Sequence, residues 1–170
     1  MRTKPLSNEY PAYYDSYLNL IPDGDIEVIL SHQRRDTLSL LGSLPEESAA
    51  RAYAEGKWTL KEVVGHMADT ERVMSYRMLC IARGETVALP GFDQDSYASI
   101  ANFQRLSWEQ IQSDYQQVRS ATLSLLTTID EPSWVRTGTV WNVPVSTRAI
   151  AYIIGGHELH HLSVIRDKYL

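Results

Sequence analysis

Apolar residues recur along this chain at the spacing of an amphipathic α-helix in four long segments. The first segment runs over about 24–43 and ends before Pro45. The second opens with Thr59 and Glu62, a capping box in which each side chain satisfies a free amide of the first helical turn, and it ends at Gly84. Caps and apolar spacing therefore agree on where these two helices begin and end.

Two further segments complete the pattern. The third runs over about 107–129 and opens with the capping box of Ser107 and Gln110. The fourth follows Ser146 or Thr147 and continues nearly to the end of the chain. Four helices of roughly 18–25 residues each predict an all-α fold, a four-helix bundle.

The connections between the predicted helices are unequal in length. About 24 residues separate the second helix from the third, and loops of that length usually carry function or a short element of their own. Residues 93–102 favour one or two helical turns in this connection, and residues 135–141 favour a small hairpin in the next one. Long connections predict a crossover topology rather than a simple up-and-down bundle.

The length of 170 residues predicts a single domain over residues 1–170, with residues 1–20 as an N-terminal extension that packs on the bundle. A formal net charge of −5, from 16 Lys and Arg against 21 Asp and Glu, argues against a nucleic-acid partner. No run approaches the roughly 18 apolar residues of a membrane span. The single cysteine excludes an internal disulfide, and residues 1–14 lack the apolar core of a signal peptide. These features predict a cytoplasmic protein whose partner is a small molecule.

Three of the five histidines, His157, His160 and His161, lie close together in the fourth segment. On a helix that turns by about 100° per residue, His157 and His161 lie about 40° apart at the centre of the apolar stripe, whereas His160 lies about 60° off it. Each inward imidazole needs partners for two ring nitrogens. Two interpretations follow: core histidines that the protein itself satisfies, or a pair that shares a metal ion.

A metal site needs ligands from a further helix, and His66 is the candidate because it faces the core side of the second helix. Asp69, almost one turn along, is interpreted either as the acceptor for the free N–H of His66 or as a helix-surface acid. His32 lies about 120° from the apolar face of the first helix and is predicted to be a surface residue.

Residues 157–161 also match His-Glu-x-x-His, the pattern of zinc-protease helices. Such proteases take a third ligand from downstream, but the residues after His161 include neither His nor Glu. The match is therefore interpreted as chance. Glu158 is predicted to be a rim or surface residue rather than a general base.

Three short motifs occur in a defined order along the chain, and this order is more specific than any one motif. They are YAEGKWTLKEVVGHMADTE at 53–71, LPGFDQD at 89–95 and GHELHHL at 156–162. Together they resemble the DinB/YfiT-like superfamily of metal-binding four-helix bundles, and the resemblance covers about residues 20–169.

The resemblance implies a divalent metal ion (Zn, Ni, Fe or Mn) held by three histidines. The ligand on the helix that opens with Trp-Thr-x-x-Glu is His66, and the pair on the last helix is His157 and His161. The resemblance further implies an activity like that of thiol-dependent S-transferases and isomerases, which use bacillithiol, mycothiol or glutathione-like cofactors. It also implies assembly as a homodimer.

Three functions are consistent with such a site. The first is a metal-dependent thiol S-transferase acting on a small electrophile, because a thiol bound to a metal ion loses its proton and becomes a nucleophile. The second is a metal-dependent hydrolase of a small amide or ester. The third is a non-enzymatic, stress-related metal-binding protein. No residue is assigned a catalytic role.

Arg77 lies inward on the second helix, about 16 Å beyond His66. A buried arginine needs acidic partners, and Asp93 or Asp95 of the long connection are the candidates. Arg77 is interpreted either as a clamp that holds this loop over the bundle or as an anion-binding residue for a carboxylate-bearing thiol cofactor. Three aromatic residues are interpreted as packing rather than pocket residues, namely Trp58, Tyr97 and Trp141.

Overall fold

The structure is a computed structural model that describes residues 3–170. In chain order, the helices in this range are α1 (Asp15–Leu18), α2 (Ile26–Gly42), α3 (Glu46–Ala49), α4 (Leu60–Ala82), α5 (Gln94–Ala101), α6 (Trp108–Thr127), α7 (Glu131–Trp134) and α8 (Thr147–Lys168). Between α7 and α8 lie the strands β1 (Thr137–Val140) and β2 (Val143–Ser146). The long helices α2, α4, α6 and α8 coincide with the four apolar segments of the sequence, so the prediction of an all-α bundle is confirmed.

Side-chain caps define the starts of the long helices. At the start of α4, the Thr59 hydroxyl accepts a hydrogen bond from the Glu62 amide, and the Glu62 carboxylate accepts one from the Thr59 amide at 2.7 Å. Ser107 and Gln110 form the same reciprocal pair at the start of α6. Each pair satisfies amides that no helical carbonyl reaches. The start of the helix that carries His66 is therefore encoded locally.

The four long helices pack in an order that differs from their order along the chain. α4 packs against α6 and α8, and α2 packs against the same two helices. The order around the bundle is therefore α2, α6, α4, α8, so that α2 and α4 lie diagonally opposite. This arrangement confirms the predicted crossover topology. Within residues 3–170, no helix combines the length and apolar character that crossing a membrane requires.

Short elements occupy the two long connections. α5 lies within the predicted 93–102, and Asp93 caps it by accepting hydrogen bonds from two amides of its first turn. β1 and β2 form an antiparallel hairpin whose turn residues, Trp141 and Asn142, have φ angles of 47° and 65°. The hairpin extends beyond the predicted 135–141 because its second strand leads directly into α8.

The core consists of two apolar clusters separated by a layer of buried polar groups. One cluster includes Met74 and Ile150, and the other includes Met67 and Ile165. We call the layer between them the polar belt; its buried side chains are Gln33, Thr37, His66, Thr70, Glu71, Tyr115, Arg119, His157 and Glu158. Buried polar groups require partners, so the chemistry of this protein is concentrated in the belt.

Candidate metal centre

α4 and α8 bring His66, His157 and His161 together in the core. The Nε2 atoms of His66 and His157 lie 3.0 Å apart, and those of His161 and His157 lie 3.1 Å apart. One nitrogen from each ring lies within 4.8 Å of the other two. His66 and His157 are buried, and His161 is half-buried. The three histidines named from the sequence thus form one cluster, which we call the histidine cluster.

The residue before each of the two buried histidines is a glycine, and each glycine lets a neighbouring segment pack directly on its helix. A Cβ atom on Gly65 would collide with the ring of Phe103, and one on Gly156 would collide with the backbone carbonyl of Tyr17. The Tyr17 ring in turn lies edge-on to His157, with 5.6 Å between ring centres. Close packing therefore limits the movement of both helices at the histidine cluster.

Burial keeps the three imidazoles neutral. It lowers the pKa of His66 to about 4. Burial, followed by the charges of His66 and His160, lowers the pKa of His161 to about 3. The pKa of His157 also falls well below its ordinary value, first through burial and then through His161 and His66. Neutral imidazole is the form that offers a lone pair to a metal ion.

The histidines cannot satisfy one another. Nε2 of His157 faces the Nε2 atoms of both His66 and His161, yet it carries either one hydrogen or one lone pair. A metal ion shared by three lone pairs resolves this conflict. Tetrahedral ligation with metal–nitrogen bonds of about 2.0–2.1 Å places ligand nitrogens about 3.3 Å apart, close to the observed 3.0 and 3.1 Å. The donor set therefore fits a divalent metal ion.

Thr70 orients the ring of His66. Its Oγ1 lies 3.4 Å from Nδ1 of His66. In the tautomer with the hydrogen on Nδ1, the ring donates to this hydroxyl and Nε2 keeps its lone pair for the cluster. The interpretation of Asp69 as this acceptor is wrong. Asp69 instead pairs with Arg72 at 3.2 Å, because i,i+3 spacing brings these two side chains together on the outer face of α4.

Glu158 is buried, which contradicts its prediction as a rim or surface residue. Its Oε1 accepts hydrogen bonds from Thr37 at 2.5 Å and from Tyr115 at 2.6 Å, and its Oε2 forms an ion pair with Arg119 at 2.5 Å. Arg119 also donates two hydrogen bonds to Glu71, at 2.7 and 2.8 Å. We call Glu71, Arg119 and Glu158 the acid–arginine cluster.

The acid–arginine cluster is net negative because two carboxylates share one guanidinium. Burial opposes the charge of Arg119, but Glu158 and Glu71 outweigh it and raise the pKa of Arg119 well above its ordinary value. Burial and the charge of Glu158 raise the pKa of Tyr115, which therefore stays a hydrogen-bond donor. A negative group beside the histidine cluster favours a cation there.

A cavity of about 230 Å³ lies next to the histidine cluster. His157 and the acid–arginine cluster contribute to its lining. The remaining wall is largely apolar or aromatic and includes Tyr14, Met74, Phe92, Trp141 and Ile153. We call this space the main cavity, and its size and lining suit a small organic molecule.

Arg77 also lines the main cavity and is buried, as predicted. It donates a hydrogen bond to the carbonyl of Pro90 in the long connection at 2.7 Å. The prediction of an ion pair with Asp93 or Asp95 is wrong, since no carboxylate within residues 3–170 pairs with Arg77. Asp93 instead caps α5.

Two histidines and two tryptophans remain whose positions, on the surface or in packing, can be compared with the sequence interpretation. His32 is exposed, as predicted, and His160, which lies off the apolar stripe of its helix, is exposed as well. Trp58 packs on His66, with 4.8 Å between ring centres. Trp141 departs from the packing interpretation: it is 72% exposed and lines the main cavity. Its position at the tip of the hairpin explains this, because a turn residue projects away from the strands.

A second cavity, of about 270 Å³, lies on the side of His161. Its lining includes Trp58, Lys57 and Asp95 as well as His161. Since His157 lines the main cavity and His161 the second one, the histidine cluster lies between two cavities.

The fold and the cluster together define a four-helix bundle with three converging histidines in its core. This is the architecture of a known family: the DinB superfamily matches residues 29–165, and the chain belongs to that superfamily.

Two of the solved structures that share the fold align with most of this chain. YfiT from Bacillus subtilis, described as a probable metal-dependent hydrolase with an unusual four-helix bundle topology, aligns over 96% of this chain and 90% of its own, with a TM-score of 0.71 and 17% identity. A mycothiol-dependent maleylpyruvate isomerase aligns over 90% of this chain and 60% of its own, with a TM-score of 0.64 and 15% identity. At these identities the likeness concerns the fold.

One curated relative matches by sequence. It comes from Oceanobacillus iheyensis and is named a putative metal-dependent hydrolase. The two chains are 33% identical over 58 residues, and the match spans 34% of each of them. The matched region is thus about a third of the relative's length.

Proposed function

We propose that this protein is an enzyme that uses a divalent metal ion, held by His66, His157 and His161, to transfer a thiol to a small electrophile. The observation that carries the proposal is the convergence of three neutral imidazole nitrogens, with neighbouring pairs 3.0 and 3.1 Å apart, beside the main cavity. Two of the similar proteins are named as metal-dependent and the third as thiol-dependent, which supports both parts of the proposal.

His66, His157 and His161 would hold the divalent cation, and a cation there would lower the pKa of a neighbouring thiol so that its thiolate forms at neutral pH. The chain's own residues prepare that position. Thr70 directs the His66 lone pair inward, and Tyr17 packs against His157. The apolar part of the wall of the main cavity strengthens electrostatic interactions close to it, because apolar groups screen charges less than water does.

The charged lining of the main cavity favours thiol transfer over hydrolysis. Hydrolysis of an amide needs a group that protonates the departing nitrogen. Glu71 and Glu158, the carboxylates that line the cavity, are already bound to Arg119. Addition of a thiolate to an electrophile makes no such demand on the protein, so transfer matches the residues present.

Metal content tests the site. Untagged wild-type protein should carry close to one equivalent of a divalent metal by mass spectrometry, and His157→Ala should carry less than a tenth of that. His160→Ala is the matched control, because His160 is an exposed neighbour on the same helix, and it should retain the metal. A wild-type content below about a tenth of an equivalent, unchanged by His157→Ala, would refute the site.

Activity tests the reaction. Bacillithiol, mycothiol and glutathione should each be offered with a chloronitrobenzene electrophile, and the loss of free thiol measured against the same mixture without protein. We expect transfer with at least one thiol, abolished by His157→Ala and retained by His160→Ala. Loss of free thiol at the uncatalysed rate with all three would refute the transferase.

A metal-dependent hydrolase is the second candidate, because the Bacillus and Oceanobacillus proteins carry that description. A panel of small esters and amides separates the two candidates. Turnover of an ester or amide without added thiol, lost in His157→Ala, would assign the site to hydrolysis instead.

A further inference from the structure

Arg77 is a buried cation that has no acidic partner within residues 3–170. It is 5% exposed, and its polar contacts are the Pro90 carbonyl at 2.7 Å and the Met74 sulfur at 3.6 Å. A guanidinium has five N–H donors, so these two contacts leave most of them free. Burial lowers the pKa of Arg77, yet an arginine keeps its charge in a protein.

The Arg77 guanidinium points toward the histidine end of α4. Helical side chains tilt toward the N-terminus of their helix, and the contact with Met74, three residues earlier, shows that Arg77 follows this rule. His66 lies further in the same direction along α4. Arg77 and His157 line the same main cavity, which therefore joins a fixed positive charge to the histidine cluster.

The other ionised side chains of the main cavity contact one another rather than Arg77. Four ionised side chains line it, and three of them are the acid–arginine cluster, whose members bind one another. Arg77 is the fourth and belongs to no ion pair within residues 3–170. Arg77 is therefore the cation of this cavity that has no carboxylate in contact with it, and a carboxylate on a ligand would supply that contact.

We propose that Arg77 binds the carboxylate of a small organic acid whose apolar or aromatic body fills the main cavity and whose far end faces His157. A planar guanidinium binds a carboxylate through two parallel hydrogen bonds. The aromatic wall suits the body of the acid: Phe92 lies 5.5 Å from the guanidinium, and Tyr14 and Trp141 also line the cavity. The proposal rests on the proposed function in placing the reacting end of the ligand at the histidines; binding of the carboxylate itself requires no metal.

The contact with Pro90 does not by itself explain why the charged side chain of Arg77 is buried. A carbonyl accepts one hydrogen bond but supplies no negative charge, and the Phe92 ring offers only a weak attraction to a cation. These contacts fix the position of the guanidinium while leaving its charge uncompensated. Arg77 is thus held in place for an anion that the described part of the chain, residues 3–170, does not provide.

A matched pair of ligands tests the proposal. 3-Phenylpropionate and its uncharged amide have the same shape, and calorimetry on the full chain as purified, with its metal content measured in the same sample, gives both affinities. We expect the acid to bind at least about tenfold more tightly than the amide. Arg77→Gln should remove this preference. Arg72→Gln is the control, because Arg72 lies on the same helix but pairs with Asp69 and Asp114 on the surface.

A second measurement, made on the wild-type protein, tests the proposal even if Arg77→Gln misfolds. The Nε–H resonance of Arg77 in the wild-type protein, assigned by its loss in Arg77→Lys, should shift when 3-phenylpropionate is added and stay in place with the amide. Inorganic phosphate should compete poorly, since the net-negative acid–arginine cluster repels a doubly charged ion. Equal affinity for acid and amide, absence of acid binding, undiminished binding by Arg77→Gln, or displacement by phosphate would each overturn the proposal.

This design separates the proposal from the proposed function. If the purified protein holds no metal but binds the acid through Arg77, the metal site fails and the carboxylate site stands. If the metal is present but acid and amide bind alike, the carboxylate site fails and the metal site stands.

Discussion

Two polar groups lie side by side in the polar belt, and they differ in how completely the protein satisfies them. In the acid–arginine cluster, Glu158 receives bonds from two hydroxyls and an ion pair from Arg119, which also binds Glu71. In the histidine cluster, three neutral nitrogens face one another at hydrogen-bond distance with too few hydrogens in suitable places. Both include residues of α4 and α8, and the acid–arginine cluster adds Arg119 from α6.

The difference indicates which group serves the fold and which serves a ligand. A buried polar network whose members satisfy one another rigidifies a core, and it is damaged when one member is lost. A buried group that lacks partners persists in a native protein when something external supplies them. We therefore expect substitutions in the acid–arginine cluster to affect folding and substitutions in the histidine cluster to affect metal binding.

The largest effect should come from Arg119→Met. This change leaves Glu71 and Glu158 buried without their cation, and breaking a buried pair lowers the free energy of unfolding by about 3–5 kcal/mol. Urea denaturation followed by circular dichroism measures it. Arg72→Met removes a surface pair with Asp114 and should lower the same quantity by about 1 kcal/mol or less. Equal losses of stability in Arg119→Met and Arg72→Met would contradict the view that the acid–arginine cluster serves the fold.

The next effect is the pH dependence of metal-free protein. Histidines in the unfolded chain take up protons near the ordinary pKa of 6.5, whereas folded His66 does so near 4. The unfolded state therefore binds more protons between these values, and stability falls as the pH drops through that window, by up to about 3 kcal/mol for His66. Above pH 6.5 this contribution is constant.

Urea denaturation in EDTA between pH 7 and 4.5 measures this slope. His66→Asn should flatten it, and His32→Asn should not, because His32 is exposed. Carboxylates titrate alike in all three proteins, so the difference between the curves isolates His66. A slope unchanged by His66→Asn would show that His66 is protonated in the folded protein at the same pH as in the unfolded chain.

A third prediction concerns the metal. Adding a divalent metal at a free concentration of 100 times its dissociation constant should raise the free energy of unfolding of the wild-type protein by about 2.7 kcal/mol. His157→Leu should gain nothing, while its metal-free stability stays close to that of the wild type. Thermal unfolding with and without EDTA measures both. A large loss in metal-free His157→Leu would instead make the histidine cluster part of the folding core.

The smallest effect is expected from Thr70→Val, which removes the hydroxyl that lies 3.4 Å from Nδ1 of His66. Loss of such an outer contact weakens metal affinity by about tenfold or somewhat more, and competition with a chromogenic chelator measures it. Thr122→Val is the control, since the Thr122 hydroxyl bonds to the Val118 carbonyl away from the histidines. Equal affinities in wild type and Thr70→Val would remove Thr70 from the site.

The sequence predicted best those features that depend on residues close together in the chain. The capping box of Thr59 and Glu62 and the apolar spacing that follows it lie within one helix, and they located α4 and the inward face of His66. The i,i+4 pair on α8 likewise required only helical geometry. These features are encoded by neighbours in the sequence and do not depend on how the helices pack.

The predictions from the sequence were wrong where the partners of a buried side chain lie on other helices or loops. The prediction for Glu158 assumed one buried stripe, but residues 149–158 of α8 are buried all round, because α1, α2, α4 and β2 pack on it. Its partners Thr37, Tyr115 and Arg119 lie on α2 and α6. The acidic partners predicted for Arg77 were wrong for the same reason, since the path of the long connection brings the Pro90 carbonyl, not a carboxylate, to its side chain. The contact between Arg77 and this connection was itself predicted.

The glycines before His66 and His157 have a consequence for genetics. Alanine at Gly65 or Gly156 would push away Phe103 or the Tyr17 backbone, and the histidine on the same turn would move with its helix. A random-mutagenesis screen for loss of activity should therefore recover glycine alleles together with histidine alleles. Compensating revertants should then appear at the segments that cover each glycine, far from it in the chain.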